Sequence, residues 1–294
     1  MKVIMPEIKG MVKKNEPLCK HTTFHIGGPA KYWIEPGGHK GLKKFVLSAK
    51  RQALRFIIIG SGSNILAGDK KYEGAVVKLT GPEFEKIVYN GVDVEVGSGV
   101  LLSKLIVGCC KKSLSGLEGL TGIPGTVGGA IRMNAGYKSS IGDVIKKIWV
   151  MDRNGKVRTF TRNKLALGYR RSGLEKYIIL KALLRLKKGN KVKIRELCES
   201  HLKRRISTQP MDKKSAGCVF KNPVGHDSSA GEIIELCGLK GKRIGGASIS
   251  RKHANYIIND KFAKAVDVLG LIKEVRQIVK SKTGIDLELE VVLI

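Results

Sequence analysis

The stretch Gly122-Ile123-Pro124-Gly125-Thr126-Val127-Gly128-Gly129-Ala130 decides how this chain is interpreted. Four glycines fall within the eight positions 122–129. Such density is typical of backbone pressed against a flat or anionic ligand, because residues without side chains let N–H groups come close to it. A structural turn is the alternative interpretation of the same residues.

A second glycine loop, Gly60-Ser61-Gly62-Ser63-Asn64, directly follows the apolar run 56–59, which predicts a buried strand. Glycines after a strand let backbone N–H groups approach a pyrophosphate, and serine or asparagine side chains add donors. The spacing is not GxGxxG and no Lys-Ser/Thr pair follows, so neither a Rossmann motif nor a P-loop is predicted. Taken alone, an ordinary turn explains these residues equally well.

Apolar periodicity around the loops predicts a mixed order of helices and strands. Helices are predicted over residues 42–49, 101–109, 194–206, 232–237 and 268–279, and strands over residues 56–59, 92–96, 148–150, 177–184 and 287–294. Gly284 is predicted to be the C-cap of the last helix. Around residues 187–193 the sequence becomes basic, and after Gly189 it has no glycine before Gly217, which predicts a domain boundary there.

The composition limits the function. Fifty-five Lys and Arg against 25 Asp and Glu give a net charge of +30, which indicates nucleic acid or small phosphorylated ligands, although a solvated basic surface is the simpler explanation. The six cysteines show no CxxC pair and no histidine at zinc-finger spacing, so no metal site is predicted and a reducing cytoplasm is favoured. No apolar run approaches the roughly 18 residues of a membrane span, and the first 20 residues lack a signal-peptide core.

Six motifs occur in a fixed order along the chain. They are HTTFHIGGPA (21–30), the loop 60–64, the glycine-rich stretch 119–136, GYRRS (168–172), SAGCVFKNP (215–223) and KHAN (252–255). Together they resemble the UDP-N-acetylenolpyruvoylglucosamine reductase (MurB) family, from about residue 15 to the last strand. Residues 177–193 leave no room for a long insertion, so the chain resembles the shorter class without the inserted tyrosine loop.

The resemblance implies an α+β fold with two domains. Residues 18–188 would form an FAD-binding domain of the vanillyl-alcohol-oxidase (PCMH) type. Residues 189–294 would form a C-terminal α+β substrate-binding domain whose final strand returns to the active site. The implied FAD contacts, held noncovalently, are Gly60, Ser61, Gly62, Ser63, Asn64, Gly122, Ile123, Pro124, Gly125, Thr126, Gly128, Gly129, Ala130 and Asn134.

The implied activity is an NADPH- and FAD-dependent reduction. It converts UDP-N-acetyl-3-O-(1-carboxyvinyl)-glucosamine to UDP-N-acetylmuramate, a step of peptidoglycan synthesis on which cell shape and division depend. We therefore expect a cytoplasmic monomer that binds a UDP-sugar and NADPH, and neither nucleic acid nor membrane.

Three positions match the family's catalytic set: Arg170, Cys218 and Glu290. Hydride addition to an alkene carbon builds negative charge on the adjacent carbon and its carboxylate, which Arg170 and a protonated Glu290 are suited to stabilise. Cys218 stands where many members carry serine and would supply the proton. The ordinary alternatives are a surface arginine, a buried small hydrophobe and the polar face of an edge strand.

Three further residues are implied to bind the substrate: Tyr169, Lys221 and Asn222. In the family the stretch that contains Lys221 and Asn222 meets the UDP diphosphate, which suits one point charge and one amide donor. The alternative is a turn closed by Pro223.

Two rival hypotheses belong to other classes of function. An FAD-dependent oxidase of a hydroxy acid or sugar lactone predicts fast reaction of the reduced flavin with oxygen and no need for NADPH. Residues 218–223 and the terminal Leu287-x-x-Glu290-Val291 argue against it. A nucleic-acid-binding protein explains the charge but leaves the glycine loops unexplained.

Overall fold

The computed structural model describes Ile8, residues 10–137 and residues 139–294. The expectation that residues 1–20 hold no signal peptide therefore lies partly outside the described residues. The chain forms two compact units. Unit 1 comprises the described residues up to Lys14 together with Tyr32–Ser61 and Glu73–Lys203, and unit 2 comprises Asn15–Lys31, Gly62–Tyr72 and Arg204–Ile294.

The described helices and strands alternate along the chain. The α-helices are α1 (His39–Arg51), α2 (Pro82–Glu85), α3 (Leu102–Lys111), α4 (Val127–Arg132), α5 (Lys191–Thr208), α6 (Ala230–Leu236) and α7 (Ala265–Thr283). Short 3-10 helices are Leu18–Lys20, Glu118–Leu120, Ile141–Val144 and Arg162–Lys164. The strands are β1 (Gly10–Pro17), β2 (Pro29–Pro36), β3 (Phe56–Ile59), β4 (Ile65–Leu66), β5 (Tyr72–Lys78), β6 (Ile87–Asn90), β7 (Asp93–Gly97), β8 (Leu114–Ser115), β9 (Ile145–Met151), β10 (Val157–Thr161), β11 (Ile178–Arg185), β12 (Lys187–Lys188), β13 (Arg243–Ile244), β14 (Ala247–Ile249), β15 (Ile257–Asn259) and β16 (Val292–Leu293).

A five-stranded antiparallel sheet forms the centre of unit 1, in the order β10-β9-β11-β7-β6. Val94 and Val96 alternate along β7 and are buried against Leu102 and Leu105 of α3, as the period-two pattern predicts. A second sheet, in the order β1-β2-β5-β3, contains the parallel pair β3 and β5 and lies mostly in unit 1. The core beside this sheet includes the apolar face of α1 and Phe84 of α2.

Unit 2 is organised around α7. Its apolar face buries Val268, Ile272 and Val279 in one core with residues of α6 and of the antiparallel sheet β13-β14-β15. Gly284 ends the helix in a left-handed conformation with φ of 75°, and its N–H donates to the Lys280 carbonyl at 2.9 Å. The predicted C-cap is therefore confirmed.

The predicted helices and most predicted strands are found, with two corrections. Residues 56–59 form a strand, but only Ile59 is buried. The tail 287–294 is not one continuous strand. Leu289 lies opposite Phe220, whereas β16 runs parallel to β4, so the tail changes its pairing partner between these points.

The boundary between the units differs from the one expected near residue 188. The units divide after Lys203, inside α5, and unit 2 also takes in the two early segments Asn15–Lys31 and Gly62–Tyr72. Local composition cannot show such a division, because these segments join unit 2 through contacts with residues far away in the chain. The assignment of FAD binding to residues 18–188 and substrate binding to residues 189–294 stays a prediction.

Candidate functional site

The two glycine loops touch each other within unit 1. A Cβ atom at position 60 would lie 2.6 Å from Thr126 Oγ1, so a glycine is needed there for the approach. Thr126 is buried, and its hydroxyl accepts a hydrogen bond from the Gly129 N–H at 3.3 Å as the N-cap of α4. Two stretches that the sequence marks separately are therefore parts of one structure.

The backbone donors of these loops fall into two groups. The N–H groups of Val127 and Gly128 donate to the carbonyls of Val100 and Ser98 at 2.8 Å each, which fixes the second loop to the strand end at Gly97. Within unit 1, five other N–H groups of these loops have no backbone acceptor among the residues that the structure describes. We call them the glycine cradle: Gly60, Ser61, Gly122, Gly125 and Thr126.

The glycine cradle fits an anionic group. Gly122 and Gly125 have φ of 79° and 136°, a region that residues with side chains rarely adopt. Clustered N–H groups without protein acceptors offer an anion the hydrogen bonds that the protein does not use itself. The chemistry of these donors suits the pyrophosphate of a dinucleotide such as FAD.

The turn that carries Arg170 is fastened to the segment after α4. Three hydrogen bonds join them: Ser172 Oγ to the Arg132 carbonyl at 2.9 Å, Asn134 Nδ2 to the Gly168 carbonyl at 3.0 Å, and Arg170 Nη1 to the Gly136 carbonyl at 3.0 Å. Arg170 itself has φ of 54°, and its guanidinium carbon lies 5.0 Å from the centroid of the Tyr169 ring.

Asn134 has a role that the sequence does not indicate. Besides donating to Gly168, its side-chain amide accepts a hydrogen bond from the Gly142 N–H at 3.1 Å. Each end of the amide therefore has a protein partner, and the side chain holds the turn beneath Arg170. The FAD contact predicted for Asn134 stays a prediction.

Cys218 and Glu290 lie on neighbouring segments of unit 2. The Glu290 N–H donates to the Val219 carbonyl at 2.8 Å, and the Lys221 N–H donates to the Glu288 carbonyl at 2.8 Å. On its other side, the segment with Cys218 meets Tyr256, which lies opposite Cys218 in an antiparallel bridge. We call Cys218, Tyr256 and Glu290 the cysteine cluster.

Two amide side chains anchor the cysteine cluster. Asn255, which is 3% exposed, accepts from the Phe220 N–H at 2.9 Å and donates to the Phe220 carbonyl at 2.8 Å. Asn64 donates to the Glu290 carbonyl at 3.0 Å. Asn64 is predicted as an FAD contact, a role that stays a prediction, whereas its amide already positions a predicted catalytic residue.

Tyr256 is a member of the cluster that sequence reasoning missed. Its hydroxyl donates to Gln209 Oε1 at 2.9 Å. Burial is the main cause that raises the pKa of Tyr256, and the neighbouring Cys218 adds to it. The only signal in the sequence was its position directly after the KHAN motif. Adjacent residues do not show that the segment with Cys218 lies opposite Tyr256 in the fold.

Lys221 and Asn222 line a cavity of about 370 Å³ in unit 2, together with His226 and Asp286. Lys221 Nζ lies 2.5 Å from Glu288 Oε1, so the predicted diphosphate-binding cation forms an ion pair with a carboxylate that is 73% exposed. Asn222 Oδ1 accepts from the Ala230 N–H at 3.1 Å. The cavity combines one lysine with two carboxylates, so a phosphorylated ligand would have to replace Glu288 as the partner of Lys221.

The described part of the chain contains neither a cluster of metal-binding side chains nor a long apolar helix. There, no three His, Cys, Asp or Glu side chains come together in a way that could bind a metal ion. Among the described helices, none combines the length and the apolar character of a transmembrane segment. All six cysteines carry free thiols.

Comparisons with known proteins agree with this geometry. Residues 30–161 match the model of an FAD binding domain, and residues 209–294 match the UDP-N-acetylenolpyruvoylglucosamine reductase C-terminal domain. The UDP-N-acetylenolpyruvoylglucosamine reductase of Alkaliphilus oremlandii is 41% identical over 284 residues, which cover 96% of this chain and 92% of the relative. The corresponding reductase 1 of Bacillus cereus is 39% identical, with 97% and 95% covered.

Solved structures give the same result. The crystal structure of MurB from Thermus caldophilus superposes with a TM-score of 0.83 at 35% identity, covering 98% of this chain and 99% of that one. The 6-hydroxy-D-nicotine oxidase of Arthrobacter nicotinovorans shares the fold alone, with a TM-score of 0.51 at 17% identity over 64% of this chain and 44% of that one. The predicted fold, a PCMH-type FAD-binding domain with a C-terminal α+β domain, is confirmed. The chain belongs to the UDP-N-acetylenolpyruvoylglucosamine reductase family.

Proposed function

We propose that this chain reduces the enolpyruvyl group of UDP-N-acetyl-3-O-(1-carboxyvinyl)-glucosamine to UDP-N-acetylmuramate, with Cys218 as the proton donor. Membership of the reductase family supports the reaction, which uses FAD and takes its reducing equivalents from NADPH. The observation that carries the residue assignment is the hydrogen-bonded pairing of the Cys218 and Glu290 segments within unit 2. The reaction belongs to peptidoglycan precursor synthesis.

The glycine cradle is the proposed holder of FAD. When bound, FAD supplies hydride chemistry, accepting a hydride from NADPH and delivering it to the substrate. The backbone N–H groups of Gly60, Ser61, Gly122, Gly125 and Thr126 would bind its pyrophosphate without a covalent link. The remaining predicted FAD contacts at residues 62–64, 123–124, 128–130 and 134 are part of the same proposal.

The proton step moves one proton from sulfur to carbon. One alkene carbon of the substrate gains a hydride, and the adjacent carbon gains a proton from Cys218. The S–H bond breaks, a C–H bond forms, and the resulting thiolate is reprotonated from water. A cysteine thiol suits this role at neutral pH because its ordinary pKa is about 8.5, so most of it carries the proton.

Arg170 and Glu290 are proposed to stabilise the charge that develops before the proton arrives. Negative charge spreads over the substrate carbon and its carboxylate, where a guanidinium and a protonated carboxyl act as charge-stabilising donors. The fastened turn supports a fixed position for Arg170, and the bond from Asn64 supports one for Glu290. Tyr169, Lys221 and Asn222 are proposed to bind the UDP-sugar.

The relatives are named reductases, which favours this reaction over the flavin oxidase and nucleic-acid hypotheses. We also propose that the enzyme acts as a monomer in the cytoplasm. Six free thiols are compatible with a reducing compartment.

The decisive experiment separates the two half-reactions of Cys218→Ala. Stopped-flow absorbance at the flavin band should show reduction by NADPH at the wild-type rate, because that step needs no protein acid. Reoxidation by the UDP-sugar should slow by about 10² to 10⁴, the usual contribution of a positioned general acid. Wild-type reoxidation by Cys218→Ala would remove Cys218 from the mechanism.

Two controls accompany this variant. Cys218→Ser should keep substantial turnover, because a hydroxyl held by its neighbours also delivers a proton. Cys19→Ala removes another half-buried free thiol of unit 2 and should leave both half-reactions unchanged.

A further inference from the structure

We propose that Thr23 is a positioning residue for the proton donor: it links Gly62 of the second glycine loop to Ser215, three residues before Cys218. The inference rests on the proposed role of Cys218 and extends it to the motif 21–30, which the proposed mechanism leaves unused. Three features carry it: the two hydrogen bonds of Thr23, the contacts of the same loop with the segments of the proposed catalytic residues, and a second link beside Thr23.

Thr23 donates hydrogen bonds to two segments that are distant from it in the chain. Its backbone N–H donates to the Gly62 carbonyl at 3.2 Å, and its hydroxyl donates to the Ser215 carbonyl at 2.6 Å. The hydroxyl oxygen also lies 3.4 Å from the Gly62 carbonyl oxygen, but a hydroxyl carries one proton, and the shorter contact receives it. All three residues belong to unit 2. Thr23 therefore holds the glycine loop with its main chain and the segment before Cys218 with its side chain.

The second glycine loop also contacts the segments of two proposed catalytic residues. A Cβ atom at Gly217 would lie 4.0 Å from the Ser63 carbonyl oxygen, an ordinary contact distance, so the residue before Cys218 lies beside the loop. The next loop residue, Asn64, donates to the Glu290 carbonyl at 3.0 Å. The loop is therefore a common support for both segments, and the threonine ties it to the segment that carries the thiol.

Asn259 forms a second link beside Thr23. Its side-chain amide donates to the Phe24 carbonyl at 3.0 Å, and its backbone N–H donates to the Lys214 carbonyl at 2.9 Å. Phe24 is fully buried in the core of unit 2. The residues next to Thr23 and Ser215 are thus held together without the threonine hydroxyl. Loss of that hydroxyl should therefore loosen the alignment of the proton donor without unfolding the unit.

The rate of proton transfer depends on where the thiol is held. The donor must come within hydrogen-bond reach of the group that takes the proton, and a misplacement of about 1 Å can cost about a hundredfold in rate. Cys218 itself lies opposite Tyr256, whereas the stretch before it is held by the bond from the Thr23 hydroxyl to Ser215. This hydroxyl already donates its proton to a backbone carbonyl. It therefore acts on the reaction only through the segment that it holds.

The test uses Thr23→Val in the FAD-loaded enzyme, because valine keeps the branched shape and removes the hydroxyl. The backbone N–H remains bonded to Gly62, so FAD content and reduction by NADPH should stay within about twofold of wild type. Reoxidation by the UDP-sugar should slow about tenfold, the usual effect of one lost hydrogen bond, through kcat rather than KM. Thr23→Ser restores a hydroxyl and should bring reoxidation back to within about threefold of wild type.

The matched control is Thr22→Val at the neighbouring position. The Thr22 hydroxyl is buried and donates to the Ile26 carbonyl at 3.0 Å, so its bond stays within the motif. This variant should lower the Tm at least as much as Thr23→Val does, because it leaves a buried carbonyl without its donor. Both half-reactions should keep their wild-type rates.

A mutant cycle shows whether the hydroxyl acts through position 218. Added to Cys218→Ala, Thr23→Val should change reoxidation by less than about twofold, because no thiol remains to be positioned. The full tenfold loss in this background would overturn the proposal, since the hydroxyl would then act on another part of the site.

The remaining outcomes separate the two proposals. Wild-type reoxidation by Thr23→Val, together with slow reoxidation by Cys218→Ala, would overturn the role of Thr23 alone. Equal slowing by Thr22→Val would also overturn it, because the stability of the motif would then be responsible. Loss of FAD from Thr23→Val would assign the hydroxyl to cofactor retention and overturn it in the same way. Wild-type reoxidation by Cys218→Ala would overturn both proposals together.

Discussion

The glycine cradle of unit 1 and the cysteine cluster of unit 2 are built on opposite principles. The cradle consists of backbone N–H groups, and its specificity comes from positions at which a side chain would collide or strain the backbone. The cluster consists of side chains that strand pairing and two amide anchors bring together. Cofactor binding should therefore depend on where side chains are missing, and proton delivery on which side chains are present.

The largest effect on FAD affinity is expected from Gly60→Ala. A Cβ there would lie 2.6 Å from Thr126 Oγ1, so the two loops must separate and the cradle donors lose their alignment. Overpacking of this kind costs about 2 kcal/mol, which corresponds to roughly thirtyfold weaker FAD binding, measurable by fluorescence titration of the apoprotein.

The matched control is Gly91→Ala in the same unit. Gly91 has φ of 59° but open space around a Cβ, so it isolates backbone strain from collision. This variant should lose about 1 kcal/mol of stability and keep its FAD affinity. Equal loss of FAD from both variants would mean that strain alone, and not contact between the loops, governs the cradle.

An intermediate effect is expected from Asn134→Ala, which tests a side chain inside unit 1. Removing the amide releases the turn beneath Arg170, so kcat should fall about tenfold, the usual cost of losing hydrogen bonds of this kind. FAD affinity should stay within about threefold, as it should for the control Asn163→Ala on the surface of the same unit. A variant that loses FAD but keeps kcat would instead assign Asn134 to the cofactor, as its sequence motif implies.

The smallest effect is expected from Glu288→Gln, which tests the charge beside the cysteine cluster. Its carboxylate competes with a diphosphate for Lys221, so neutralising it should lower the KM for the UDP-sugar about threefold, as befits an exposed ion pair. Steady-state kinetics of Lys221→Ala, with and without Glu288→Gln, provide the control. Lys221→Ala should raise the KM by the same amount with and without Glu288→Gln. If Glu288→Gln still lowered the KM in the absence of the lysine, the pairing would be contradicted.

The two sites also differ in how far sequence can predict them. Local patterns mark the helix at His39–Arg51, the strand at Asp93–Gly97 and the C-cap at Gly284, because each depends on residues a few positions apart. The glycine loops are visible for the same reason. The sequence does not show which of their N–H groups already donate within the protein. Gly128, for example, donates to a strand end that lies before the whole of α3 in the sequence.

Within the cysteine cluster, contacts between residues far apart in the chain determine which side chains come together. Asn255 holds Phe220 from 35 positions away, and Asn64 holds Glu290 from 226 positions away. No periodicity encodes such partners. Tyr256 was missed and the tail was predicted as one strand for this reason, because both depend on which segment lies opposite.

The bond between Asn64 and Glu290 has a consequence for how the enzyme is made. Its partners are 226 residues apart, and a ribosome that adds about 5 to 20 residues per second needs roughly 10 to 45 s to cover that distance. The residues of the cradle end at Thr126, well before Cys218 has been synthesised. The five-stranded sheet of unit 1 is complete at Arg185, so the bond that positions Glu290 is among the last contacts that a newly made chain can form.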